Sequence, residues 1–388
     1  MALDPQFDPK QATDAYINSL GDSALAQAAA YTTGNHWLML GGLIVSVIAA
    51  WLLIRSGVLV RVSNSLAQRS FFTRCFCICA AFIVLSSIVE LPWSLYANWW
   101  RETQYGRTSQ PLSDYLGQSG IALATNAILM GLFLTGVYAL IRRMGKLWWL
   151  WSGGLTAGFF AALLLLGPIF IEPMFNDYQP IPEGEVKDAV EAMAVEANIP
   201  LDRIFMYDGS RQSNNFTANV SGIGASARIA ISDVALDEAS LDEVKAVTGH
   251  EVGHYMLGHV WDIVGVLTVI VMVSFLLADR LFKPVARFFG AEEDIGNPNG
   301  LPVLLVIVGL LMTLAQPLTN TLSRHNETEA DQYSYATVNL PDAMASALVK
   351  TAEYRNPRPG KLEEVLFYTH PSVERRVRMA MEWKAANP

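Results

Sequence analysis

Six stretches of this chain come near the length of about 20 predominantly apolar residues that a helix needs to cross a hydrocarbon layer. They lie at roughly 37–54, 75–96, 119–141, 147–171, 260–279 and 301–318. Each is read as a membrane-spanning helix. The composition agrees, because 52% hydrophobic and 16% charged residues over 388 positions is too apolar for an ordinary soluble enzyme. The first stretch does not read as a cleavable signal, since mostly polar residues precede it and no basic run leads into it. Trp99 and Trp100 follow the second stretch, and Trp148, Trp149 and Trp151 open the fourth, where interfacial anchors belong. Cys75, Cys77 and Cys79 fall in the second stretch; alternate positions on a helix cannot all face one ion, so they read as small buried hydrophobes.

Two segments are polar enough to stand in water, 172–258 and 320–388, and they flank the last two spans. Residues 183–199 have apolar positions at helical spacing. LDRIFMYDGS (201–210) reads as a strand and turn, SARIAISDVAL (226–236) as a further strand, and 290–300 as a polar loop. Ser240 and Glu243 make a capping box, which starts a helix near 241 and carries 250–254 well inside it.

On that helix stands TGHEVGHYMLGH (248–259). His250 and His254, four apart, project from one face and can reach a single ion, with Glu251 beside them. This is the His-Glu-x-x-His pattern in which zinc activates a water and the carboxylate takes its proton. The bland alternative, surface histidines on a helix face, loses ground when a third ligand is found. In SRHNETEADQYSY (323–335), Glu327 can join the metal while Asp331, one turn on, accepts from the other nitrogen of a ligand histidine. Glu329 is expected to face elsewhere, and His259, five after His254, to be rotated off the ligand face.

HEVGH, ETEAD, FNDYQPIPEGEVKDAV and THPSVER, in this order and spacing, resemble the membrane CAAX prenyl protease family, type I zinc endopeptidases that trim prenylated proteins. The similarity runs from LPWSLYANWWRETQYG (91–106) to THPSVERRV (369–377) and is closest to a bacterial-type member. The resemblance implies one zinc ion (Zn2+) per chain on His250, His254 and Glu327, with Glu251 as base and His370 helping to bind substrate or stabilise the oxyanion. It implies substrate contacts at Thr217, Asn219 and Arg376, and a large intramembrane chamber under the protease domain. An imidazole or guanidinium near the tetrahedral intermediate suits such a role, whereas Arg375 reads equally well as a solvated helix residue. Thr217 and Asn219 stand where the family usually has an asparagine and an aromatic. The loop before the last span, FFGAEED, has no histidine, and six spans are counted against seven in eukaryotic members.

The fold expected is therefore mainly α: a polytopic α-helical membrane protein of about six spans, with an α+β zinc metalloprotease domain built from two segments around a small sheet with an edge strand. Four units are expected: 1–171 with four spans, 172–258 with the HEVGH helix, 259–319 with two further spans, and 320–388. Partners would be the lipid bilayer and a peptide or protein substrate, prenylated or membrane-embedded, in the inner membrane if the source is a bacterium. A net charge of −9 argues against nucleic acid. Quality control of membrane proteins, and a non-catalytic scaffold that keeps zinc for stability, stand as alternatives; Glu251 argues against the latter, since a structural site has no need of a base. Orientation stays open, because Arg55, Arg61, Arg69, Arg74, Arg142, Arg143 and Lys146 place the far loops in the cytoplasm while the resemblance places the protease there.

Overall fold

The computed structural model describes residues 7 to 387. Helices long and apolar enough to cross a membrane form five runs among them: Gly21–Ser56, Phe71–Gln104, Leu112–Met174, His259–Phe289 and Pro298–Thr337. The six apolar stretches fall in five runs because the third holds two of them. Helix Leu112–Met144 ends in a 3-10 turn at Gly145–Leu147, and helix Trp148–Leu166 returns along it. Phe133 and Phe159 bring their ring centroids within 4.8 Å, whereas a straight helix would hold residues so spaced about 39 Å apart.

The helices pack through a core that includes Cys75, Ile78, Cys79, Tyr138, Phe275, Phe282, Leu301 and Leu304. Cys75 and Cys79 are buried free thiols in that core, as small hydrophobes would be. On the outside the usual pattern inverts, and Ile44, Ile128, Leu132, Leu314 and Leu318 stand exposed on spans where lipid would cover them.

Beyond one end of the spans lies a four-stranded sheet: β1 (Tyr178–Pro180), β2 (Ile204–Tyr207), β3 (Ala218–Ser221) and β4 (Arg228–Ser232), in the order β1-β2-β4-β3. β2 runs parallel to β4, and the outer strands run antiparallel to their neighbours. The inward residues Ile204, Ile229 and Ile231 pack with Val190 of helix Glu185–Glu196 and with Val244 and Val252 of helix Leu241–Leu257. A second small core joins the two ends of the chain: Ile17 packs with Tyr335, Met344, Val377 and Met381, and Arg358 pairs with Asp14 at 2.6 Å. Ala246 of helix Leu241–Leu257 belongs to this second core, so that helix is held from both sides.

Candidate metal centre

Helix Leu241–Leu257 begins with the capping box: Ser240 Oγ accepts from the Glu243 backbone N–H, and Glu243 Oε2 accepts from the Ser240 N–H at 2.8 Å. Glu243 is also held by Lys350 Nζ at 2.8 Å. At the other end the chain turns left-handed at Gly258, φ 71°, and a new helix starts at His259. Between these stops, Gly249 and Gly253 lie against helix Leu301–Thr337. A Cβ on Gly249 would come within 2.5 Å of Val338 Cγ2, and one on Gly253 within 3.1 Å of Tyr333 Cβ and 3.2 Å of the Ala330 carbonyl. The absent side chains let the two helices approach until Ser334 Oγ donates to the Ala246 carbonyl at 2.8 Å. That approach carries Glu327 to the histidines.

Ligand atoms of His250, His254 and Glu327 all lie within 4.8 Å of one another. The two Nε2 atoms are 3.1 Å apart, and each stands 3.3 Å from a Glu327 oxygen. A tetrahedral ion bound at about 2.0–2.1 Å spaces its ligand atoms about 3.3–3.4 Å apart, so the three side chains fit one. Glu327 Oε2 is buried without a hydrogen-bond donor, as an oxygen reserved for a cation would be.

The ring nitrogens that face away from this point are also engaged. His250 Nδ1 lies 2.9 Å from Asp331 Oδ1, and Asp331 is gripped by Arg376 through Nε at 2.8 Å and Nη2 at 2.6 Å. Arg376 Nη1 also reaches Glu327 Oε2 at 3.4 Å. Expected as a substrate contact, Arg376 borders the pocket but is buried, with its guanidinium turned to these two carboxylates; their charge raises its pKa against the burial that would lower it. Spacing gave no sign of this, since Arg376 lies 45 positions from Asp331.

His254 Nδ1 meets His259 Nδ1 at 2.9 Å, and His259 Nε2 meets Glu329 Oε2 at 3.3 Å. The helical wheel that rotated His259 away does not apply, because the helix breaks at Gly258 and His259 swings back. Glu329 does not join the metal triad, yet it backs one of its histidines. A restart glycine four residues after the second histidine was the available signal.

A cavity of about 360 Å³ opens at the triad, and Glu251, His370, Arg376, Thr217 and Ala218 are among its walls. Burial raises the Glu251 pKa, which makes it a stronger proton acceptor. Burial alone would lower the pKa of His250, but Asp331 and Glu327 raise it to about 10: the pocket is organised around positive charge. His370 points in from the loop before helix Val373–Ala386, with Nε2 3.2 Å from Glu327 Oε1 and Nδ1 2.9 Å from Thr369 Oγ1. Burial lowers its pKa and favours the neutral ring.

The strand that borders the cavity is β3, at the sheet's edge. The Ser232 N–H donates to the Thr217 carbonyl at 2.9 Å, and the register pairs Asn219 with Ala230. In an antiparallel ladder alternate residues face the partner strand, so Ala218 and Val220 turn their backbone N–H and C=O groups to the open edge. Thr217 borders the pocket, its hydroxyl 2.7 Å from Tyr207 OH. Asn219 Oδ1 is buried with no hydrogen-bond partner, and Asn219 is not among the residues that border the cavity.

Two family models match the chain, one described as CAAX prenyl protease N-terminal, five membrane helices, over residues 9–177, and one described as peptidase family M48 over residues 180–384. Among similar proteins is an uncharacterized metalloprotease, YhfN, of Bacillus subtilis (strain 168), 26% identical over 92% of this chain and 85% of its own. Another is CAAX prenyl protease 1 of Saccharomyces cerevisiae, 27% identical over 76% of this chain and 69% of its own. The crystal structure of S. mikatae Ste24p superposes with a TM-score of 0.76 at 21% identity and covers 96% of this chain and 95% of its own, which shows a shared fold.

Proposed function

The chain belongs to peptidase family M48 and is a multi-pass membrane metalloprotease of the CAAX prenyl protease type, and from that premise we propose that its ion is zinc, held by His250, His254 and Glu327. The observation that carries the proposal is the spacing of 3.1 to 3.3 Å among their ligand atoms, with a carboxylate, Glu251, one residue from a ligand. Two imidazoles and one carboxylate are the donor set of catalytic zinc, which leaves a coordination position open. When bound, such an ion polarises a carbonyl and lowers the pKa of water.

The remaining steps belong to the chain's own groups. A peptide adds to β3, and its backbone pairs with Ala218 and Val220 at the open edge. That docking brings a scissile carbonyl over the cavity. Glu251 accepts a proton from the attacking water and delivers it to the leaving amine; its burial places its proton affinity above that of an exposed glutamate. His370, a neutral donor at the cavity wall, stabilises negative charge on the carbonyl oxygen. Asp331 and His259 hold the rings of His250 and His254 in the tautomer that leaves Nε2 free, and Arg376 holds Asp331.

Proteins named CAAX prenyl protease are among the relatives, and we extend that substrate class, a prenylated C-terminus cut beside the membrane, to this chain. A broader range of membrane-protein peptides is favoured by one feature: the recognition surface identified at β3 is backbone, with Asn219 away from the cavity, and backbone pairing tolerates many sequences. The test compares cleavage products of membranes that contain wild type or Glu251→Gln. Loss of defined C-terminal tripeptides supports the narrow class, and loss of many unrelated peptides the broad one. A Glu251→Gln protein that cleaves like wild type overturns the mechanism.

A further inference from the structure

A second polar cavity, of about 680 Å³, lies among the helix ends opposite the metal centre. It is reached along the fourth run: from His259 to Asp279, which borders this cavity, the helix rises about 30 Å, one hydrocarbon thickness. Arg74 and Arg142 border it from the start of the second run and the end of helix Leu112–Met144, Asp294 from the loop before the fifth run, and Asn299 from the first turn of that run.

The charges in this cavity do not pair with one another. Among the described residues neither arginine has a carboxylate within ion-pair distance; Arg142 lies over the Phe71 ring at 4.1 Å, and Arg74 is one turn from Phe71 on the same helix. Among the described residues Asp279 accepts only from Trp148 Nε1, at 2.8 Å, and Asp294 only from the Gly296 N–H, at 2.9 Å, each through one oxygen. Asn299 Oδ1 is buried without a donor. Pairing is not generally absent from this end of the molecule, since Glu293 close by is held by Arg287 at 3.0 Å. Two cations and two carboxylates therefore share one cavity and remain apart. A ligand that carries both signs can engage both sets.

We propose that this cavity binds the headgroup of an aminophospholipid. The phosphate is held by Arg74 and Arg142, whose guanidinium groups match phosphate oxygens, and the ammonium by Asp279 and Asp294. The position, at the edge of the apolar spans, sets the acyl chains against the exposed flanks of the helices. A free headgroup shares the charge pattern but lacks the acyl chains, so the two sources can be separated.

The experiment is native mass spectrometry of the full chain in detergent, titrated with phosphatidylethanolamine, phosphatidylglycerol or glycerophosphoethanolamine. Wild type should retain phosphatidylethanolamine in preference to both others. Arg74→Gln with Arg142→Gln should weaken it by about tenfold or more, the scale of losing charge-assisted hydrogen bonds. Asp279→Asn and Asp294→Asn should remove the preference over phosphatidylglycerol while leaving phosphate binding. Metal content and melting temperature certify each variant as folded, and a double variant that fails them is replaced by Arg142→Gln or by Asp294→Asn alone. Unchanged retention in folded variants, equal binding of the two lipids by wild type, or binding of the free headgroup as tight as that of the lipid would each overturn the proposal.

Discussion

The two walls of the catalytic cleft are built on opposite plans. On the helical wall, each ligand ring nitrogen that faces away from the metal position has a partner, Asp331 or His259, and Asp331 and His259 have partners of their own. On the sheet wall, β3 is short and turns unpaired backbone groups outward. Side chains held in networks hold an ion and a base to within fractions of an ångström, whereas an open backbone edge accepts peptides largely regardless of sequence. In the proposed function chemistry and recognition are thus separated by wall, and substitutions should sort accordingly.

The largest effect is expected for His250→Ala or His254→Ala, which should release the metal, seen by elemental analysis, and abolish cleavage; an active metal-free protein would break the contrast outright. Next comes Glu251→Gln, which should keep the metal and peptide affinity yet reduce kcat by roughly 10²- to 10⁴-fold. If this variant loses its metal, Glu251 belongs to the structural network after all. Asp331→Asn should weaken metal retention by about 10- to 100-fold in competition with a chelator, as partners of ligand histidines commonly do. The effect of Glu329→Ala should be smaller and run in the same direction, because it acts through His259; no change at all would remove His259 from the network. On the other wall, Val220→Pro should remove one outward N–H, raise KM by about fivefold for a bond of roughly 1 kcal/mol, and leave metal content unchanged. A fall in kcat or in metal content there would show that the two walls are not independent.

Local signals were legible in the sequence, and signals that depend on a break or a long return were not. The apolar stretches, the capping box at Ser240 and Glu243, and the histidine pair each sit within a few residues, where helical periodicity decides what faces what. The strand at 228–232 showed through alternating apolar positions and that at 204–207 as a short apolar run before a turn, while β1 has too few residues to show a period. Arg376 could be placed in the cleft but not on Asp331, because the contact is set by the packing of helix Val373–Ala386. His259 stays outside the triad, but its place behind His254 was not foreseen, because the wheel was carried across Gly258, where the helix stops. Nothing in the sequence pattern singled out the two glycines of GHEVGH, although their lack of side chains sets how near Glu327 can come.

The salt bridge between Asp14 and Arg358, with Arg378 donating to Thr13 at 3.1 Å, closes the molecule end to end and has a consequence in time. At about 5–20 residues per second the ribosome takes roughly 20 to 70 s to make the chain between these contacts. The helix that holds the two histidines emerges while Glu327 and Arg376 do not yet exist, so the nascent chain passes through a stage with two of the three metal-binding side chains and an unmatched first helix. Glu327 completes the triad only after the apolar stretch 301–318 has been made, and Arg376 follows with helix Val373–Ala386. A chain made in this order therefore holds no complete set of metal-binding side chains while its apolar stretches are being synthesised.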